Sequence, residues 1–136
     1  MVFQKEITLP PFPRGFHLLD KLVLDAIGEL PETGLLSLFL KHTSAALMLN
    51  ENADPDVRTD LNALLDKIAP EDAPFYTHVM EGADDMPAHF KTAILGTSLN
   101  IPISRHRLNT GIWQGIYFCE FRRHSNRRKL VITVVS

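Results

Sequence analysis

Residues 35–49, with the sequence LLSLFLKHTSAALML, decide the fold of this chain. They contain two apolar runs of strand length, residues 35–40 and 45–49, which are separated by a polar interruption at Thr43 and Ser44. Nearly continuous apolar runs of this length are typical of strands buried in a protein core. We therefore expect two core strands, one on each side of the interruption.

The sequence around these strands predicts three helices. The first has its apolar positions between residues 19 and 30, with Asp20 as its cap. The second begins at Asp54-Pro55, because an Asp side chain can accept from the first free N–H groups and Pro is tolerated at the first helical position. The third begins after Asp84 or Asp85, either of which suits its cap, and ends before Gly96.

Four further strands complete the predicted fold. They are residues 3–9, 99–103, 115–122 and 129–135, and the last two are expected to form a hairpin through the polar turn 124–127. The chain has 136 residues, of which 45% are hydrophobic, and this is enough for one core but not for two. We expect residues 1–136 to form a single α+β domain with mixed or antiparallel sheets and about three helices.

The composition also narrows the class of protein. No stretch approaches the ~20 apolar residues of a membrane span, and the first residues lack the pattern of a secretory signal. Cys119 is the only cysteine and lies in an apolar run, so we expect a buried, inert thiol. These features predict a cytoplasmic protein without a membrane partner.

The charges are distributed unevenly along the chain. The net charge of −2 argues against nucleic acid as a partner, but residues 51–85 are mostly acidic and residues 105–129 are mostly basic. The two regions are able to meet within or between subunits. The simpler interpretation, which we favour at this stage, is a solvated acidic helix and a solvated basic hairpin.

Polar residues are concentrated at the boundary between the second core strand and the second helix. Residues 42–45 and 50–55 together contain an imidazole, two hydroxyls, two amides and two carboxylates. Folding alone requires only a turn former and a helix cap here, so the density of polar groups predicts a functional site.

Three histidines are candidate metal ligands. His42, His78 and His89 lie at a strand end, in a loop and in the first turn of a helix, and with Glu51, Asp84 or Asp85 they suit zinc, manganese or a similar divalent ion. The helix dipole favours a neutral, metal-binding ring at His89. Two alternatives remain open: each histidine tethers a loop to backbone carbonyls, or the same helix end binds a phosphate near His89 and Lys91.

The only tryptophan, Trp113, lies between Gly111 and Gly115 in front of a strand. The pair Trp113-Gln114 either packs over a pocket or, as we prefer, the large aromatic ring closes the core.

Several motifs together resemble the YjbQ-like family, also called secondary thiamine-phosphate synthase enzymes. The motifs are His42-Thr-Ser-Ala, Asn50-Glu-Asn-Ala-Asp-Pro, Glu81-Gly, Asp84-Asp-Met-Pro-Ala-His89, Leu95-Gly and Gly111-Ile-Trp-Gln-Gly, in an order that runs nearly end to end. The resemblance implies a YjbQ-like trimeric fold, with a site near the motif histidines and acids at subunit boundaries. It further implies a small-molecule substrate and, in some members, a metal or an anion.

The activity attached to that family is formation of thiamine phosphate from a hydroxymethylpyrimidine diphosphate and a thiazole phosphate, with loss of pyrophosphate. For this reaction a divalent ion, zinc, manganese or magnesium, would stabilise the leaving pyrophosphate. The expected metal ligands are His42, His78 and His89, and the expected catalytic residues are His42, His89 and Asp85. The expected substrate-binding residues are Thr43, Ser44, Asn52, Lys91, Gln114 and Arg122.

Two hypotheses from other classes remain beside the enzyme. One is a non-catalytic module that binds a phosphorylated or carboxylated small molecule through the same polar cluster. The other is a scaffold in which the cluster only holds the trimer together.

Overall fold

The protein folds as two antiparallel sheets and three helices. The structure, a computed structural model, describes residues 1–124 and 127–136. Its elements in chain order are β1 (Val2–Thr8), β2 (Gly15–Leu18), α1 (Asp20–Ile27), β3 (Thr33–Leu40), β4 (Ala45–Glu51), α2 (Pro55–Ile68), α3 (Asp85–Leu95), β5 (Ser98–Ser104), β6 (Arg107–Leu108), β7 (Gln114–Glu120) and β8 (Lys129–Val135). The predicted α+β class with three helices is confirmed.

The elements form three layers. A five-stranded sheet in the order β1-β8-β3-β5-β6 packs on a three-stranded sheet in the order β2-β7-β4. The inward residues of both sheets share one apolar core with Val23 of α1 and with Leu19, which directly precedes that helix. On the other side of the small sheet, a second core joins it to Leu65 of α2 and Ala88 of α3.

Strand β4, at one edge of the small sheet, is buried on both faces, as its apolar run predicted. Ala45 and Leu47 point into the core between the sheets, while Ala46 and Met48 point towards the helices. This alternation follows from the two-residue period of a strand, which sends successive side chains to opposite faces. Because β4 starts directly after Ser44, its two cores fix the position of the polar residues before it.

Helix starts agree with the sequence in one case and differ in two. The Asp54 side chain accepts from the Asp56 N–H at 2.9 Å and caps α2, as predicted. Asp20 does not cap α1, because its Oδ1 accepts from the Ile116 N–H at 2.9 Å. Asp84 occupies the cap position of α3 but makes no cap hydrogen bond, since Arg122 and the Arg123 N–H bind its carboxylate.

The predicted hairpin between the last two strands is wrong. β7 pairs with β2 and β4 in the small sheet, whereas β8 pairs with β1 and β3 in the large one. The connection therefore crosses from one sheet to the other. Ser125 and Asn126 of the predicted turn lie outside the described residues.

Two short strands, β2 and β6, were not predicted, and Trp113 differs from its predicted core position. The Trp113 side chain is 61% exposed on the loop before β7. Cys119, in contrast, is buried as expected, and burial raises the pKa of its thiol. Among the helices in the described part of the chain, none has the length and apolar character that a membrane span requires.

Candidate metal centre

Three potential metal ligands converge at the start of α3. Asp85 and His89 are one helical turn apart, so both side chains lie on the same face of α3. His78 reaches them from the loop between α2 and α3. Its Nε2 lies 2.6 Å from Asp85 Oδ2, and His89 Nε2 lies 3.0 Å from the same oxygen. One ligand atom from each residue falls within 4.8 Å of the other two.

The hydrogen bond on the far side of the His89 ring determines its protonation. His89 Nδ1 lies 2.7 Å from the carbonyl oxygen of Thr43, and a carbonyl oxygen only accepts. Nδ1 therefore carries a proton, and in the neutral ring Nε2 is left with a lone pair that faces the Asp85 carboxylate. A stable arrangement requires a positive charge between these two atoms, either a proton on Nε2 or a metal ion.

The second oxygen of Asp85 is held by Arg122. The guanidinium donates from Nη1 to Asp85 Oδ1, from Nε to Asp84 Oδ2 at 3.3 Å, and from Nη2 to the Glu81 carbonyl at 3.0 Å. Burial alone would raise the pKa of the Asp85 carboxyl, but the hydrogen bond with His78 and the charges of His89 and Arg122 lower it overall. Asp85 is therefore a carboxylate over the whole neutral range, as a metal ligand must be.

A buried ion pair holds the turn that supplies the Thr43 carbonyl. Glu120 is completely buried and forms a two-point pair with Arg128, at 2.7 Å to Oε2 and 2.5 Å to Oε1. Arg128 Nη2 also donates to Ser44, at 3.0 Å to the hydroxyl and 3.3 Å to the carbonyl. This pair ties the residues before β4 to the start of β8, and so positions Thr43 O beside His89.

Sequence reasoning missed Glu120 and Arg128 as contributors to the site. Glu120 is the only acid among residues 105–129, and the charge pattern of that region gives it no role in a site. A signal was present, because a carboxylate at the end of the apolar run 116–121 has to be paired with a cation if it is buried. Which of the many arginines pairs with it depends on the tertiary structure.

His42 lies beside this centre but outside the group of three ligands. Its Nε2 accepts from the Lys129 N–H at 2.7 Å, so the ring contributes a backbone tether. Burial, followed by the charge of Arg128, lowers the pKa of His42. With Thr43 and His89 it lines an open cavity of about 690 Å³. The structure thus brings His78, His89 and Asp85 together. His42 is not part of this group, but it lines the same cavity as His89.

Lys91 does not lie where a phosphate beside His89 would meet it. Its ammonium is 2.7 Å from Asp66 Oδ1, its side chain is 3% exposed, and it lies over the Phe121 ring. Two residues along a helix point to roughly opposite faces. The Lys91 side chain therefore points towards the second core, and Asp66 of α2 neutralises its charge.

Asn52 and Gln114 lie at the opposite end of the small sheet. Asn52 Nδ2 donates to the carbonyls of Ile112 and Gln114, and the Gln114 side chain accepts from the Gly111 N–H at 2.9 Å. Thr43 and Ser44 precede β4 and Asn52 follows it, so about 20 Å of strand separates the two ends. The dense polar stretch of the sequence is therefore divided between two distant places.

The acidic and basic regions of the chain meet within the subunit, contrary to the solvated interpretation. Arg122 pairs with Asp84 and Asp85, and Arg123 pairs with Glu71. These pairs fasten the loop before α3 to the residues after β7. The charge asymmetry of the sequence thus builds the surroundings of the candidate metal centre.

Comparison with known families gives a match over almost the whole chain. The family model described as UPF0047 protein YjbQ-like matches residues 5–136. The UPF0047 protein YjbQ of Salmonella typhimurium is 49% identical over 136 residues, and that of Escherichia coli O157:H7 is 45% identical over 136 residues. Both alignments cover 98% of this chain and 98% of the relative.

Solved structures with the same fold come from other bacteria. One is an uncharacterized conserved protein of the yjbq/upf0047 family from Clostridium acetobutylicum, with a TM-score of 0.81 and 34% identity, covering 98% of this chain and 99% of that one. Another is the conserved hypothetical protein TT1486 from Thermus thermophilus, with a TM-score of 0.82 and 32% identity, covering 93% of this chain and 97% of that one.

Proposed function

The chain belongs to the UPF0047 YjbQ-like family, and from that premise we propose that it binds a divalent metal ion at His78, Asp85 and His89 and thereby holds a phosphorylated small molecule. One observation carries the proposal: His89 donates from Nδ1 to Thr43 O and turns Nε2 towards the Asp85 carboxylate. The ligand atoms of His78, Asp85 and His89 lie within 4.8 Å of one another, which is close enough for one ion to bind all three.

The donor set fits zinc or manganese. Two imidazole nitrogens and one carboxylate are a common ligand set for such ions and leave positions open for a ligand. The Thr43 carbonyl and Arg122 supply the outer hydrogen bonds that usually orient metal-binding His and Asp side chains. The carboxylate of Asp85 accepts from Arg122 through one oxygen and has the other directed at the histidines.

The reaction we propose is thiamine-phosphate formation from a pyrimidine diphosphate and a thiazole phosphate. A bound ion supplies positive charge to the departing pyrophosphate. Asp85 and His89 hold that charge in place, while His42 and Thr43 line the cavity on the other side of the His89 ring. Ser44 takes part indirectly, through Arg128, by positioning Thr43.

A non-catalytic binding module is the second candidate, and one observation favours it. Lys91 and Arg122, the two cations expected to assist the leaving group, are both committed to carboxylates. In such a site the metal is the only source of positive charge for a ligand. This is enough to bind one anionic group, but it gives little help to a departing pyrophosphate.

We also propose that the protein is a homotrimer, as the sequence resemblance implies. The proposal is tested separately from the metal centre, through the mass of the protein in solution.

The metal proposal is tested by elemental analysis of the purified protein and of the variants His89→Ala and Asp85→Asn. We expect one divalent ion per chain in the wild-type protein after incubation with zinc or manganese and dialysis, and little in either variant. His106→Asn is the matched control, since His106 bonds only the Leu30 carbonyl through its ring. A wild-type protein without a stoichiometric ion contradicts the proposal.

The reaction is tested with the same preparations by following thiamine phosphate from the two substrates. Product that depends on the metal and disappears in His89→Ala supports the enzyme. Metal and phosphate binding without product supports the binding module instead.

A further inference from the structure

An apolar pocket lies directly beside the candidate metal centre. It is formed by Ile68 at the end of α2, Phe75 and Tyr76 in the following loop, and Met86 and Phe90 on α3, and its volume is about 410 Å³. Cavities of about 300–1,000 Å³ with mainly apolar and aromatic walls are typical of small-molecule sites. No Asp, Glu, Lys or Arg side chain is among the described residues that line this pocket.

His78 connects the pocket to the metal ligands. Its ring forms part of the pocket wall, and its Nε2 lies 2.6 Å from Asp85 Oδ2. Met86 and Phe90 line the pocket from α3, the helix that also carries Asp85 and His89. A molecule in the pocket would therefore lie against His78, which is also a candidate ligand of the metal ion.

The pocket side chains are exposed to a degree that folding does not explain. Phe75 is 78% exposed, Ile68 is 61% exposed and Phe90 is 41% exposed. The loop that carries Phe75 is nevertheless held in place, since Tyr76 Oη donates to the Pro70 carbonyl at 2.7 Å and the Phe75 ring packs edge-on against Tyr76. Ordered apolar surface next to a polar centre is typical of a ligand-binding surface.

The charges around the pocket define the ligand. Arg122, Arg123 and Lys91 are all paired with acids, so the metal site is where an anionic group finds positive charge. The pocket itself offers apolar and aromatic surface. The matching molecule has one anionic end and one flat, uncharged body.

We propose that this pocket binds the flat apolar body of a small phosphate or carboxylate whose anionic group is held at His78, Asp85 and His89. The inference rests on the proposed function and adds the chemical class of the ligand. Phe90 and Phe75 determine specificity, because they contact the apolar body of the ligand, whereas the metal binds its anionic group.

The test compares two probes, phenyl phosphate and methyl phosphate, titrated by calorimetry into the manganese-loaded protein. We expect phenyl phosphate to bind at least 10-fold more tightly. Phe90→Ala and Phe75→Ala should each reduce this ratio towards 1 without changing the affinity for methyl phosphate. Ile112→Ala is the control, since Ile112 is 81% exposed on a loop at the far end of the small sheet. Equal affinities for the two probes in the wild-type protein would overturn the inference.

Two further measurements separate this inference from the proposed function. The metal content of each sample is measured directly, so that loss of the ion is recorded independently of probe preference. In protein treated with a chelator, a phenyl preference that persists and falls in Phe90→Ala supports the pocket without the metal. Light scattering gives the mass of every variant. If Phe75→Ala and Phe90→Ala dissociate the assembly, this surface is a contact between copies and the small-molecule inference is wrong.

Discussion

At the level of single residues, hydrogen-bond direction decides what the candidate centre is able to hold. Thr43 contributes a backbone carbonyl, so its effect on His89 does not depend on its side chain. The sequence predicted that the third helix has Asp84 or Asp85 as its cap and carries His89 in its first turn. It did not predict the partner of His89 Nδ1, which comes from a turn 46 residues earlier.

His42 gives a prediction for the pH dependence of stability. Its pKa is lowered in the folded chain by burial and by Arg128, so the unfolded chain binds the extra proton first as the pH falls. The stability linked to neutral His42 is therefore complete above the ordinary value of 6.5 and decreases as the pH falls from there towards the folded pKa. We expect the urea midpoint to fall between pH 7.5 and pH 5.5.

The variant His42→Gln separates this effect from other titrations. Its side-chain oxygen keeps an acceptor for the Lys129 N–H but has no titratable group. The fall in midpoint over the same pH range should be smaller in this variant than in the wild-type protein. Asp85 does not interfere, because its lowered pKa affects stability only below about pH 4. An unchanged pH profile in His42→Gln would show that other groups cause the effect.

At the level of secondary-structure elements, α2 is the part of the fold that local sequence determines most completely. Asp54 accepts from the Asp56 N–H, and Pro55 occupies the first helical position. The cap of α3 was less predictable, because the Asp84 carboxylate binds Arg122 and the Arg123 backbone from after β7. A capping signal in the local sequence is misleading when the carboxylate binds a group that is distant in sequence, as Asp84 does.

The cap of α2 gives a second prediction. Asp54→Ala should lower the free energy of unfolding by about 1 kcal/mol, the typical loss when such a cap is removed. Urea unfolding followed by circular dichroism measures this change. Asp60→Ala, on the exposed face of the same helix, should change the stability by less than about 0.5 kcal/mol. Equal losses in the two variants would contradict a role for the cap.

The connection between β7 and β8 shows why element order alone did not give the topology. Two adjacent strands with a short polar connection are typical of a hairpin. Here Tyr117 and Cys119 face the helices while Ile116 and Phe118 face the large sheet, so β7 is needed in the middle of the small sheet. Its edges are taken by β2 and β4, and β8 pairs elsewhere.

At the level of the whole molecule, the layers leave one sheet face without a covering element. On the outer face of the large sheet, Val2 pairs with Val135, and Val135 pairs with Leu35 on its other side. This apolar row continues to Pro102, and Phe39, with 51% of its surface exposed, lies two rows away on the same face, beyond the row of Ser37 and Thr133. Such a face is typical of a contact between subunits.

The proposed trimer is therefore expected to depend on this face. Light scattering of the wild-type protein should give three times the chain mass of 15.3 kDa. Phe39→Glu should reduce the mass towards that of one chain, because it places a charge in an apolar contact. Ile112→Glu, a charge on the loop before β7 at a side chain that is 81% exposed, should leave the mass unchanged. A wild-type mass of one chain would refute the trimer itself.

The class and core of this fold were predictable, while the division of the candidate site was not. Residues 42–55 looked like one polar cluster because sequence distance is short, but a strand of seven residues carries the chain from one end of the sheet to the other. His78 and Arg122 joined Asp85 through tertiary contacts alone. The sequence named His42, His78 and His89 as metal ligands, whereas the structure groups His78 and His89 with Asp85 and leaves His42 outside.

Of the three candidate ligands, two are fixed on a rigid helix and the third arrives on a loop of irregular backbone. In the proposed metal centre, an ion held by Asp85 and His89 would also be held by His78, so a sequence change that loosens this loop would weaken the binding. Under this proposal, sequence changes in the loop alter the affinity for the metal while all three ligands stay the same. Under this proposal a longer loop would weaken metal binding only slightly, because doubling the length of a flexible loop costs about 0.6 kcal/mol.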